Sequence, residues 1–145
     1  MPDPAAFIEG KRFTDERGYL QSINDFSFKD VCRFYQISNR DTAIIRAWQG
    51  HKIEHKYFYV TVGSFVIAWV KVDDFDNPSP TLQPGHIILS ADKPGILSVP
   101  PGFANGIKSL SPDSILIIYS NLDLKQSEQD RWSYDSSLWM DWSKI

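Results

Sequence analysis

Between positions 43 and 65 the chain reads AIIRAWQGHKIEHKYFYVTVGSF, which sets Arg46, Gln49, His51, Glu54, His55 and Lys56 between two apolar runs. Imidazole, with an ordinary pKa near 6.5, is the side chain best suited to take a proton at neutrality. A Lys that opens a strand of Phe and Val, as Lys56 does, either snorkels at a barrel mouth or is paired inside. Gln can only donate and accept hydrogen bonds. Three outcomes are open for this cluster: a catalytic strand, a metal site, or a polar turn with long side chains. For a metal, His51, His55, Gln49, Asn105 and Glu54 offer two imidazoles together with carboxamides, which are poor transition-metal ligands. No bound metal and no cofactor are expected. His86, in PGHIIL, stands alone and is expected at a strand end or on the surface. Cys32 is the one cysteine; it builds no internal disulfide or zinc knuckle and is expected to be a bystander.

The elements that must position these groups read as short strands. VCRFYQIS alternates, with Val31, Arg33, Tyr35 and Ile37 on one side and Cys32, Phe34 and Gln36 on the other. AIIRAW, KYFYVTVGSFVIAWVKV, GHIILSA, GILSVP and SILIIYSN follow, separated by Gly, Pro, Asn and Asp clusters. Gly63-Ser64 predicts a hairpin turn, and Pro100-Pro101-Gly102 a turn that no sheet ladder could accept. FSFKD and KQSEQDRW are the only stretches that could hold helical turns. Many short strands with no long helix predict an all-β chain, a closed barrel or double-sheet jelly roll, as one domain spanning 1–145.

On a strand, Gln49 and His51 share a face, and Arg46 falls on the other unless a bulge intervenes; Gly50 makes one plausible. Lys56, Phe58 and Val60 share a face, opposite His55, Tyr57 and Tyr59. Tyr119 shares its face with Ile117 and Ile115, which would aim its hydroxyl into the barrel. Trp48 and Trp69, on expected strands, are more naturally core than sugar-stacking platforms. Asp15 and Glu16 read as turn formers.

A net charge of −3 gives no electrostatic case for nucleic acid or an anionic membrane. No apolar run approaches the ~20 residues of a membrane span, and MPDPAAFIEG has no signal-like core. A soluble, cytoplasmic protein is expected.

Several segments, in order, resemble the dTDP-4-dehydrorhamnose 3,5-epimerase family of sugar-nucleotide cupins. They are FTDERGYLQSINDF, RFYQISNRDTAIIRAWQGH, HKYFYVTVGSF, SPT with LSADKPGILSVPPGFANG, LIIYSNLD and RWSYDSSLWMDW. The stretch RAWQGHK is also similar to the R-G-x-H-x-H-K motif of the sugar-nucleotide 3,4-ketoisomerases. The resemblance implies a jelly-roll cupin barrel (a double-stranded β-helix), a homodimer joined at the N-terminal strand, and a nucleotide-sugar across the barrel mouth. It implies proton abstraction beside the ketone of a 4-keto-6-deoxyhexose, giving an epimerase or keto-isomerase. Lys56 matches the family's oxyanion Lys, Tyr119 its acid, and Arg46 its motif Arg. Arg17 and Gln36 match nucleotide-holding positions, and Asn39 also fits binding.

Three positions depart from the family pattern, the mildest being Ala47 in place of the motif Gly. Gln49 stands where the family has its catalytic His, and Asn105 where it has the His of G-F-A-H-G. The family's acidic partner for the base lies in a C-terminal extension, and this chain stops soon after Trp142, so that partner is expected to be absent. In the ketoisomerase register the second His is kept, as His51. The reading is therefore His51 as base, Lys56 as enolate stabiliser and Tyr119 as proton donor, with Arg17, Gln36, Asn39, Arg46, Gln49 and Asn105 binding substrate. The alternative is a non-catalytic sugar-nucleotide or carbohydrate-binding cupin that keeps the pocket and has lost the base.

Overall fold

The computed structural model describes residues 5–145. Two five-stranded antiparallel sheets carry the fold. The first orders β1 (Ala6–Glu9), β9 (Gly95–Val99), β6 (Lys56–Val62), β11 (Ile115–Ser120) and β4 (Arg33–Ile37). The second orders β12 (Trp132–Ser133), β5 (Ile45–His51), β10 (Phe103–Ser109), β7 (Ser64–Lys71) and β8 (Gly85–Ser90). A separate hairpin pairs β2 (Lys11–Asp15) with β3 (Gly18–Ser22). This is the expected all-β jelly roll.

Alternation explains the first sheet. On β6, Lys56, Phe58 and Val60 are buried and the residues between them half-buried, as a strand with one face on a core requires. Cross-strand registers stack these positions into rows. Lys56 pairs with Ser120, which pairs with Arg33; Phe58, Ile118 and Tyr35 form the next row; Val60, Leu116 and Ile37 the third. Phe65, Ile67, Leu89 and Ile107 of the second sheet close on these rows to form the core between the sheets.

The second sheet is covered on both faces, so β7 is apolar without alternation. On its outer side Trp48, Val66, Ala68 and Val70 meet the C-terminal tail. Trp139 and Trp142 lie 5.3 and 5.6 Å from Trp48, ring centre to ring centre. The Nε1–H groups of Trp48 and Trp142 both donate to the Ser136 carbonyl. Trp48 is therefore a core residue, as the sequence favoured.

Two local expectations are corrected. Gly63 does make a turn, with φ of 73°, but β6 and β7 do not pair; the turn carries the chain from one sheet to the other. A Cβ there would sit 2.1 Å from Ser114 Oγ, so the position excludes a side chain as well as favouring left-handed backbone. FSFKD holds no helix, whereas the second candidate stretch does. Helix α1 (Leu124–Glu128) starts in a capping box in which Asp123 accepts from the Gln126 N–H and Gln126 accepts from the Asp123 N–H. Pro100-Pro101-Gly102 is the expected turn, with Gly102 at φ of 93°.

Candidate active site

A cavity of about 450 Å³ opens at the polar end of the inter-sheet space. Arg46, Gln49, His51, Lys56 and Asn105 line it, together with Arg33, Tyr35 and Arg131. The bulge anticipated on β5 exists, although not at Gly50. Asn105 pairs with Gln49 while Ile107 pairs with Arg46, so β5 carries one residue more than β10 across 46–49. That extra residue brings Arg46 round to the face of Gln49 and His51.

His51 ends β5 and is 3% exposed. Its Nδ1 lies 2.7 Å from the Asp130 carbonyl oxygen and 3.3 Å from Glu54 Oε1. A carbonyl can only accept, so Nδ1 carries the proton and the lone pair of the neutral ring sits on Nε2. Nε2 is buried and has no hydrogen-bond partner. Burial, and next the Lys56 charge, pull the imidazole down to about 4, so the ring is neutral at pH 7 and free to accept a proton.

Asp130 holds the ring in a second way. Its carboxylate accepts the backbone N–H groups of Lys52, Ile53 and Glu54 at 2.8, 2.9 and 2.7 Å. One residue thus fixes both the turn after β5 and the tautomer of His51. Lys56, 8% exposed, opens β6 at the cavity wall.

Around this pair the lining is cationic. Arg33, Arg46 and Arg131 contribute guanidinium groups, opposed in the lining by Glu128. Arg46 Nε donates to Asn39 Oδ1 at 2.7 Å, and Arg131 Nε donates to Gln49 Oε1 at 3.3 Å. Gln49 Nε2 donates in turn to Ser133 Oγ at 3.0 Å. Asn39 is buried behind Arg46 as its support and is not part of the lining. Among the described residues no group of three or more His, Cys, Asp or Glu is placed to hold a metal ion.

Three expected positions lie elsewhere. Tyr119 projects from the outer face of the first sheet, where its ring meets Phe26, Phe28 and Phe34. Leu116, Ile118 and Ser120 point inward instead. Gln36 is exposed, because Arg33, Tyr35 and Ile37 take the inner face of β4. Arg17 sits on the β2–β3 hairpin, 82% exposed, and pairs with Asp15 at 2.7 Å. The phenol that does line the cavity is Tyr35, with Arg33 4.9 Å above its ring. The strand alternation already placed Arg33 and Tyr35 on one face. What it lacked was a reason to prefer that face to the one bearing Gln36.

His55, four residues beyond His51, leaves the site altogether. It stacks on Tyr57 at 4.3 Å, and its Nε2 lies 2.7 Å from Ser98 Oγ. His86 is exposed on β8, and Cys32 is an exposed free thiol.

No family model matches the chain, and no curated protein sequence does. Solved structures do match. A dTDP-4-dehydrorhamnose 3,5-epimerase from Bacillus anthracis, with TDP and PPi bound, is 22% identical over 96% of this chain and 85% of its own, with a TM-score of 0.77. A 3,4-ketoisomerase double mutant from Thermoanaerobacterium thermosaccharolyticum, in complex with TDP, is 24% identical over 90% of this chain and 88% of its own, with a TM-score of 0.68. A 3'-monoepimerase double mutant from Streptomyces bikiniensis, in complex with dTDP, is 16% identical over 97% of this chain and 76% of its own, with a TM-score of 0.78. The first two are of the kinds that the sequence motifs resemble, and the chain has the jelly-roll fold that all three share.

Proposed function

We propose that the protein is an isomerase acting on a nucleotide-linked, dTDP-type 4-keto-6-deoxyhexose, with His51 as the base. The observation that carries this reading is the fixed tautomer of His51: Nδ1–H is tied down, and Nε2 is left buried and unpartnered in a ring that lines the cavity together with Lys56. Abstraction of the proton on the carbon next to the ketone leaves an enolate, and Lys56 offsets the charge on its oxygen. Return of the proton to the other face of that carbon inverts the centre. Return to the neighbouring carbon, with the hydroxyl proton passing to the old carbonyl oxygen, moves the ketone. The second outcome needs one base on one face, which is what His51 supplies. Tyr35 is the phenol within the cavity for the first. No step calls for a metal or cofactor.

Arg33, Arg46 and Arg131 suit the diphosphate of a sugar nucleotide, held by guanidinium groups that present paired donors. Gln49 and Asn105 add neutral hydrogen bonds to sugar hydroxyls. The chain is further read as one cytoplasmic domain working as a homodimer, with no nucleic acid or membrane partner. The second copy would cover exposed Phe34 on the first sheet, Phe28 in the segment before β4, and Phe13, Tyr19 and Leu20 on the β2–β3 hairpin. Light scattering that returns a monomer at micromolar concentration removes the dimer without touching the chemistry.

The deciding experiment is proton-to-deuterium exchange on dTDP-4-keto-6-deoxyglucose in heavy water. Exchange beside the ketone is expected, and His51→Ala should slow it by about 10²–10⁴-fold while dTDP still binds. Binding with no exchange in the unmodified protein would replace this reading with the non-catalytic module, which the Gln at position 49 favours.

A further inference from the structure

Glu54 is a carboxylate with no solvent exposure, in the turn between β5 and β6. A carboxylate stripped of water stays ionised only where donors and countercharge surround it. Four groups from four parts of the fold do so here. Ser120 Oγ–H on β11 donates to Oε2, and Ser127 Oγ–H on α1 donates to Oε1 at 3.1 Å. Arg33 Nη2 on β4 lies 3.6 Å from Oε2, and His51 Nδ1 lies 3.3 Å from Oε1.

We propose that Glu54 is the positioning residue of His51, and that it balances the imidazolium formed when Nε2 takes a proton. The inference rests on His51 acting as base. Glu54, in the turn that follows β5, is then the acidic partner of that base, at 3.3 Å from Nδ1. The charged groups facing His51 are Glu54 from the turn, Lys56 from β6 and Asp130 from the segment after α1. Asp130's carboxylate is taken up by three backbone N–H groups and acts on the ring through its charge alone, the contact with Nδ1 being made by the Asp130 backbone carbonyl. Lys56 opposes protonation. Glu54 is therefore the carboxylate that touches the ring. Its two serine donors divide its charge and limit how strongly it pulls on Nδ1–H. Glu54 never meets substrate; it acts through the imidazole.

The test is ring-¹⁵N NMR of His51 against pH, run on the full chain without substrate and paired with the deuterium exchange assay. The unmodified protein should show the Nδ1–H tautomer. Glu54→Gln should move the His51 titration below its normal position and slow exchange by about 10²-fold with KM nearly constant. Glu54→Asp should recover part of the rate. Ser127→Ala keeps the charge and removes a competing donor, so it should move the titration up. Opposite signs from two neighbouring changes are not what a merely structural role produces. An Nε2–H tautomer in the unmodified protein, or a titration unchanged in both variants, overturns the inference. Should Glu54→Gln not fold, Ser127→Ala decides alone: an upward shift sustains the pairing, and no shift or a fall ends it. If the NMR shifts occur and the unmodified protein exchanges nothing, the pairing stands and the isomerase reading fails.

Discussion

The first and third cross-strand rows of the first sheet lie on the same three strands and have opposite chemistry. The first holds Lys56, Ser120 and Arg33; the third holds Val60, Leu116 and Ile37. The third packs with Phe65, Ile67 and Leu89 in the core, and of its residues Ile37 alone reaches the cavity. The first borders the cavity through Lys56 and Arg33, and it draws on long-range partners: Ser120 Oγ donates to Glu54, and Arg33 Nη2 donates to Ser127 Oγ and lies 3.6 Å from Glu54 Oε2. Burial in the third row drives folding. Burial in the first opposes it, since desolvated charge is unfavourable, and is sustained by the rest of the barrel. Stability and chemistry are thus separated by two steps along each strand.

Substitutions at the two ends should therefore have opposite signatures. Lys56→Met is expected to slow deuterium exchange by about 10³-fold while leaving the melting temperature equal or higher, because a buried charge is replaced by an apolar side chain. It should also raise the His51 titration from about 4, since Lys56 is one of the two influences holding it down. Loss of fold on Lys56→Met would erase the distinction between the rows. Leu116→Ala should do the reverse: about 3 kcal/mol of stability lost in urea melts, with exchange per folded molecule unchanged.

A smaller effect concerns pH. His51 is depressed when folded, so between its unfolded value near 6.5 and about 4 the unfolded chain binds the extra proton. Stability should therefore fall as pH drops through that window, and His51→Asn should flatten the slope; an equal slope in both proteins would place the cause in other groups. The smallest effect is expected at Tyr119→Phe, since that hydroxyl is outside the cavity. Exchange should match the unmodified protein, and a hundredfold drop would restore Tyr119 to the chemistry.

Strand alternation groups the β4 and β6 members of these rows, and the pairing that joins them across β11 is not legible in the sequence. Arg33, Tyr35 and Ile37 were grouped correctly, as were Lys56, Phe58 and Val60. Tyr119 shows the limit of that logic. Its grouping with Ile117 and Ile115 was correct, but Leu116 and Ile118 are as apolar as their neighbours, so nothing local says which set faces the core. The outer set lies under a cluster of Phe26, Phe28 and Phe34, contacts that depend on a distant loop and strand. Arg46 was assigned its face only conditionally, because a bulge is a property of two paired strands. Glu54 sits in plain view beside His55, yet its partners Ser120 and Ser127 lie 66 and 73 residues away. Asp130 was hidden inside a stretch read merely as a possible helical turn.

The Asp130 contacts bear on how such a site could be moved between proteins. A graft of the two central strands and their connecting bend would carry the imidazole but not its tether, which arrives from the chain beyond α1. Without that donor segment the ring would be free to flip and the bend to fray. A transferable cassette is therefore discontinuous: 45–56 together with 120–133, and Arg33 from β4 to face Glu54.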